Sequence, residues 1–260
     1  MTGAGQAERA QALRALHGAP EILVLVNAWD AASARAIVAA GARAIATASH
    51  SVAAVHGYPD GERIPRELAL GALGRVCAAV DVPVSADLEA GYGDAGHTAR
   101  LALEAGAVGC NLEDRRAELG EAARAVAAAV AAGAAAGVPL VVNARTDAFL
   151  LAGPDEPRAT LVAEAVQRGR AYAAEGADCV FVPGVTDRET IAALVAGLGS
   201  VPLSVLGGPG APPARELQEL GVARVSYGPW TMRVALGAVT AAAEAIFAGG
   251  ELPPGVPRTP

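Results

Sequence analysis

Asp87 and Glu89, Glu113, and Arg145 are the residues of this 260-residue chain whose types and spacing could do chemistry. They lie near the ends of three short apolar runs, Val82–Glu89, Ala107–Asp114 and Leu140–Asp147. If the runs are strands, alternation puts Asp87 and Glu89 on one face, Asn111 and Glu113 on one face, and Asn143, Arg145 and Asp147 on one face. Carboxylates on neighbouring strands then converge, and three of them repel one another unless a cation sits between them. Oxygen-only ligands at that density suit Mg2+ or Mn2+, whereas zinc prefers His and Cys. The planar fork of Arg145 complements an anionic substrate. Strand-end acids also cap the helices that follow, a use that fits Asp30 and Asp114 equally well.

The elements that must position these residues repeat one unit: an apolar run, a polar or glycine-containing junction, and an alanine-rich amphipathic helix. The runs are Ile22–Ala28, Ala42–Ser49, Val82–Glu89, Ala107–Asp114, Leu140–Asp147, Ala177–Val185, Pro202–Leu206 and Val222–Tyr227. Gly41, Gly106, Gly137, Gly176 and Gly221 stop the preceding helices, where a left-handed residue favours glycine. Eight such units with no break in composition predict a closed (β/α)8 TIM-type barrel, a fold that commonly takes about 250 residues. It forms a single domain over residues 1–250, with a short N-terminal helix over Ala7–Leu16 and a proline-rich tail over residues 251–260. The active site of such a barrel lies at the C-terminal ends of its strands. Those ends here also carry Trp29, Ser49-His50, Pro183-Gly184, Gly207-Gly208 and Tyr227-Gly228.

Composition narrows the function further. A net charge of −7 gives no basic footprint for nucleic acid or an anionic membrane, so neither partner is expected. Cys77, Cys110 and Cys179 are widely spaced in apolar surroundings, the pattern of core thiols in a reducing cytoplasm. No apolar segment precedes Pro20, so no secretory signal is read there. The uncharged stretch Ala125–Ala144 is broken by Gly137-Val138-Pro139 and reads as helix then strand, not as a membrane span.

Four segments, in order and at characteristic spacing, carry a resemblance: Asn27-Ala-Trp-Asp-Ala31, Asp87-Leu-Glu-Ala-Gly-Tyr-Gly93, Asn111-Leu-Glu-Asp114 and Asn143-Ala-Arg-Thr-Asp-Ala-Phe149. Together they resemble the isocitrate lyase/phosphoenolpyruvate mutase superfamily over nearly the whole chain. The resemblance implies Mg2+, small 2-oxo acids or the acids that yield them, and C–C or P–C cleavage. It also implies a homo-oligomer, a dimer or tetramer, in which the last helix, about Met232–Phe247, packs on or swaps into a neighbouring subunit. Asp87 and Glu113 then correspond to metal-site acids, Glu89 stands where a second Asp is usual, and Arg145 corresponds to the substrate-binding arginine. Asp60, in Tyr58-Pro-Asp-Gly61, resembles a mouth-facing acid, although Pro-Asp-Gly is also an ordinary turn. Trp29, Ser49 and His50 fall on the substrate side, with backbone N–H groups around Ser49 holding an anionic end. His50 is a candidate acid/base or a hydrogen-bonded structural residue, and Tyr92 orients metal-bound water or shapes its turn.

The departures matter as much. Relatives of the lyase type carry Lys-Lys-Cys-Gly-His in the loop after the fourth strand, and mutases carry a lysine there; this chain has Arg115-Arg-Ala-Glu-Leu-Gly120. Pro183 replaces a polar residue that faces the phosphonate in some relatives. The residues therefore point to a Mg2+-dependent lyase or decarboxylase acting on a small 2-oxo acid through a metal-stabilised enolate. The alternatives are a phosphonopyruvate-type mutase or hydrolase and a non-catalytic oxo-acid-binding barrel. With no loop cysteine, isocitrate and methylisocitrate cleavage are expected to be negligible. Turnover of either at about 1 s⁻¹ or faster in a coupled assay would contradict this.

Overall fold

The computed structural model describes residues 3–252. Helix α1 (Gly3–His17) is followed by strands β1 (Leu23–Leu25) and β2 (Asn27–Ala28), then α2 (Ala31–Ala39), β3 (Ile45–Thr47), α3 (Ser49–Val55) and α4 (Arg66–Ala78). The alternation continues through β4 (Val84–Asp87), α5 (Ala95–Glu104), β5 (Gly109–Glu113), α6 (Leu119–Ala135), β6 (Val141–Arg145) and α7 (Arg158–Ala174). It ends with β7 (Cys179–Val182), α8 (Arg188–Leu198), β8 (Leu203–Leu206), α9 (Ala214–Glu219), β9 (Arg224–Ser226) and α10 (Trp230–Phe247). The tail expected over 251–260 lies, from residue 253 onward, outside the described residues.

Every strand pair is parallel, in the order β1-β9-β8-β7-β6-β5-β4-β3-β2, which makes an α/β barrel of the TIM type. The first run, expected as one strand, is two short ones. Its first half, β1, pairs with β9 (Leu23↔Arg224 to Leu25↔Ser226), and its second half, β2, pairs with β3 (Asn27↔Ala46, Ala28↔Thr47). A tilted, staggered strand in a barrel meets its two neighbours at different heights, so the ring closes through one segment that changes partner along its length. Asn27 fastens the join. Its buried side chain accepts the N–H groups of Tyr227 (2.9 Å) and Gly228 (2.7 Å) and donates to the carbonyl of Thr47 (2.8 Å).

Local chemistry explains the helix boundaries. Asp30 begins α2 with a reciprocal capping box: its side chain accepts the Ser33 N–H, and the Ser33 hydroxyl accepts the Asp30 N–H. The five glycines expected to stop helices all have positive φ, from 68° at Gly137 to 105° at Gly106. Small side chains let the layers approach, as where α5 meets α6: a methyl group at Gly96 would lie 3.2 Å from the Ala128 Cβ. The three cysteines are free and buried, and burial pushes each thiol up to about 12, so they serve as core residues. Among the described residues no helix is long and apolar enough to cross a membrane.

Helix α1 covers the barrel floor and is longer than the Ala7–Leu16 segment expected for it. Leu13 reaches the chain at Gly109, where an added Cβ would stand 2.7 Å from the Leu13 Cδ2. Beside it Arg224, fully buried, donates to Asn111 Oδ1 (3.0 Å), which also accepts from Asn143 Nδ2 (2.8 Å). His17 closes this layer: its Nδ1 lies 2.9 Å from the Leu13 carbonyl and its Nε2 3.4 Å from Arg224 Nη1. A carbonyl on one side and a guanidinium on the other require the neutral ring with the proton on Nδ1. Burial, assisted by Arg224, lowers the His17 pKa to about 4. The unfolded imidazole takes its proton near 6.5, so between these values the unfolded chain holds more protons and stability falls as pH falls. We expect acidification from pH 6.5 to pH 4 to cost about 3 kcal/mol through this residue. Urea unfolding of the native chain and His17→Gln across that range should show the native curve falling more steeply on the acid side.

Candidate active site

The ends of β3 to β6 build the mouth. Glu113 and Arg145 close neighbouring strands as direct register partners, so their side chains meet without any loop to position them. Arg145 Nη1 lies 2.8 Å from Glu113 Oε2, and its Nε donates to Asp147 Oδ1 at 2.6 Å. Burial pushes Glu113 up to about 7; Arg145 opposes that rise, while the charges of Asp87 and Asp147 add to it. Asp87 ends β4. Its Oδ2 accepts the Ser49 N–H at 2.8 Å and its own N–H donates to Thr47 Oγ1 at 2.9 Å. A cavity of about 20 Å³ beside Thr47, Ser49, Asp87 and Tyr92 is otherwise lined by apolar residues of α3, α4 and the β4 end, among them Val52, Leu70 and Leu73.

Glu89 departs from the expected alternation. Strand β4 ends at Asp87, and Glu89 takes a left-handed φ of 51°, so the two acids do not share a strand face. Both oxygens of this buried carboxylate are engaged: Oε2 accepts the N–H of Glu62 and Oε1 accepts the Tyr92 hydroxyl (3.0 Å). Burial first, then Asp87, raises its pKa. Glu62 in turn accepts the Tyr92 N–H at 2.6 Å and pairs with Arg115 Nη1 at 3.1 Å. Arg115 Nε donates to Glu113 Oε1 at 3.1 Å, and its Nη2 stands 3.8 Å from Glu89. Among the described residues, the non-glycine residues with positive φ are Glu62, Glu89, Tyr92, Arg115 and Arg116, all in these loops. Each left-handed position costs roughly 1–2 kcal/mol, which the side-chain bonds must offset.

The other expected residues fall around this centre. Trp29 packs on the small apolar cluster of Val52, Ala53, Ile64 and Ala72. Ser49 and His50 open α3. The Ser49 N–H expected to hold a substrate anion is already given to Asp87, and His50 Nδ1 is buried with no partner among the described residues. Asp60 is exposed on its turn, felt by Glu89 only through its charge; Glu62, two residues on, is the acid that this turn delivers to the mouth. Tyr92 is held protonated against Glu89. Glu62 and Arg115 were not among the residues read from the sequence. The available signals were Glu62 following the Pro-Asp-Gly turn and Arg115 opening the short loop after the Asn111-Leu-Glu-Asp114 segment.

The convergence expected of three carboxylates is not assembled. Among the described residues no group of three or more His, Cys, Asp and Glu side chains could hold a metal ion. Glu89 is turned into the loop network, while Arg115 and Arg145 take one Glu113 oxygen each. What fits a hard divalent cation is the pair Asp87 and Glu113. Asp87 Oδ2 has one backbone donor, its Oδ1 has none among the described residues, and Glu113 is a desolvated acid repelled by Asp87. Two carboxylates with solvent suffice for Mg2+, which keeps several waters.

Asp114, which the sequence offered as a helix cap, anchors two loops instead. Its Oδ1 accepts the N–H groups of Arg116 (2.8 Å) and Asp147 (2.9 Å); its Oδ2 accepts the Tyr172 hydroxyl (2.6 Å) and faces Arg168 Nη1 (3.2 Å). Glu118 is the residue that caps α6. Arg168 and Arg116 both pair with Glu164, and Arg116 also with Glu156.

The chain is similar to known proteins over nearly its whole length. The sequence model of the phosphoenolpyruvate phosphomutase family matches residues 13–247. An uncharacterised protein of Mycobacterium tuberculosis is 37% identical, covering 93% of this chain and 91% of that one. A Corynebacterium glutamicum protein provisionally named 2-methylisocitrate lyase 2 is 31% identical, covering 89% of this chain and 78% of its own length. A crystal structure from Burkholderia cenocepacia with a provisional phosphonomutase assignment superposes with a TM-score of 0.87 at 41% identity, covering 92% of this chain and 98% of that one.

Asp30 and Asp114, alike as strand-end acids, should separate on mutation. Asp114→Ala leaves a buried arginine and tyrosine hydroxyl without their acceptor and should cost about 3–5 kcal/mol. Asp30→Ala removes an N-cap and should cost about 1 kcal/mol. Urea unfolding of both variants would decide the matter, and equal losses would contradict the anchoring role of Asp114.

Proposed function

Because the chain belongs to the isocitrate lyase/phosphoenolpyruvate mutase superfamily, whose members are carbon–carbon lyases or mutases, we propose that it is a divalent-metal-dependent lyase of small 2-oxo acids or their precursors. The observation that carries this reading is Arg145, fixed between Glu113 and Asp147 on adjoining strand ends, beside Asp87. Asp87 and Glu113 would hold Mg2+ or Mn2+, with Glu89 acting on the site through the loops it ties. Bound there, the ion would supply Lewis-acid stabilisation to an enolate.

In this mechanism Arg145 holds a substrate carboxylate or enolate oxygen through its fork. Cleavage of the C3–C4 bond of a 3-carboxylated 2-oxo acid leaves its electron pair on C3 as the enolate of the 2-oxo group while C4 departs as carbon dioxide, and a proton then adds to C3. Tyr92 is committed to Glu89, which leaves His50, with its unpartnered Nδ1, as the side chain we assign to test for proton transfer. Trp29, Ser49 and Asp60 are proposed to shape the substrate side. Nothing in the reading calls for nucleic acid or a membrane, and its setting is cytoplasmic. We also propose a homo-oligomer. No residue of α10 is buried, and Val234, Val239 and Phe247 expose an apolar surface that a second copy would cover.

A phosphonate mutase is the second reading, favoured by the similarity to the Burkholderia cenocepacia protein and disfavoured by Pro183 at the end of β7. Turnover of phosphonopyruvate but not of oxaloacetate or related 2-oxo and 2-hydroxy acids, with Mg2+ and Mn2+, would select it. For the lyase reading, Arg145→Lys keeps the charge but loses the fork. It should weaken oxaloacetate binding by about 1.5–3 kcal/mol, roughly one to two decades. Calorimetry at saturating Mg2+ would measure this, and unchanged affinity would remove Arg145 from the anion site.

A further inference from the structure

We propose that Arg115 is an internal counter-cation that competes with a divalent ion for the carboxylates of the mouth, and so sets how tightly this barrel holds its metal. The inference rests on the metal reading given above. Arg115 touches Glu62, Glu113 and Glu89, at 3.1, 3.1 and 3.8 Å, so one guanidinium bridges the last residue of β5 and acids from two other loops. One of those acids, Glu113, is a metal-holding carboxylate of that reading, and Arg115 takes its Oε1.

The setting allows exchange. Arg115 is 41% exposed at its side chain, whereas Arg145, on the other oxygen of Glu113, is 21% exposed and tied to Asp147 as well. On one side of Arg115, Asp114 is buried among four donors; on the other, Arg116 is clamped by Glu156 and Glu164. With both neighbours pinned, the backbone stays and only the side chain swings out to water. Charge favours the exchange: among the described residues the side-chain ion pairs of Glu62, Glu89, Glu113 and Asp147 run to Arg115 and Arg145, Asp87 adds a further negative charge beside Glu113, and a divalent ion brings more charge than the guanidinium it replaces. A ligand that binds only the displaced state has its affinity reduced by the fraction of chains in that state.

Titration of the full-length protein with Mn2+, followed by electron paramagnetic resonance, tests this without any substrate. If the displaced state holds about a tenth of the chains, Arg115→Gln should bind Mn2+ about tenfold more tightly than the native protein. Arg115→Lys, a point charge without the fork, should fall between the two. Arg100→Gln, which removes the same charge outside the mouth, should stay within about twofold because salt screens it. A native protein that binds Mn2+ while Arg115→Gln and Arg115→Lys bind it equally or more weakly would overturn the competition and leave the metal reading standing. Absence of Mn2+ binding by every form would remove both.

Discussion

A ring of parallel strands delivers the ends of all its strands to one rim, and acids placed there lose water on several sides at once. The pairing of Glu113 with Arg145 is how this chain meets that constraint. Because the two are register partners, their contact is fixed by the sheet itself; Asp147 and Asp87 then add negative charge that the single guanidinium does not balance. The rest of the rim follows from that shortfall. Glu89 is taken up by a backbone N–H and a phenol, Asp87 by a backbone N–H, and Arg115 spans what remains. The rim is therefore an electrostatic balance as much as a shape, and a small anionic substrate or a cation entering it changes partners already in place.

Beneath that layer the barrel holds a positive charge of its own. Among the described residues Arg224 has no carboxylate hydrogen-bond partner, its bonds running to Asn111 and His17, and burial brings its pKa down to about 10, leaving it charged at neutral pH. Asn111 lies between this cation and Asn143, two residues before Glu113 on the same strand. Floor and rim are thus connected by one strand, and Asn27 keeps the ring closed around both.

How much of this could be read from residues alone depended on whether a strand's alternation held to the residue in question. It held for Glu113 and Arg145, which end β5 and β6, and the glycine stops and apolar runs marked out the barrel. It failed at Glu89, because β4 had already ended and a left-handed turn redirected the side chain. Asp30 is the cap that a strand-end acid suggests, whereas Asp114 looks the same in sequence and is a buried anchor, since its partners Arg168 and Tyr172 lie on a helix more than fifty residues away. Glu62 and Arg115 depend on loop conformation, which no hydrophobic period encodes. The split of the first run at Val26 follows from ring closure, a property of the whole sheet and not of the segment.

The five non-glycine left-handed residues among those described carry a consequence for how this protein can be improved or can drift. Elsewhere on a protein surface, placing glycine or asparagine at a left-handed position relieves the main chain and can raise heat resistance. At positions 62, 89, 92, 115 and 116 the same exchange would ease the main chain while deleting the carboxylates, phenol and guanidiniums that organise the rim. Robustness and chemistry are therefore opposed at these positions, and a lineage selected only for endurance would be expected to keep its barrel and lose its mouth.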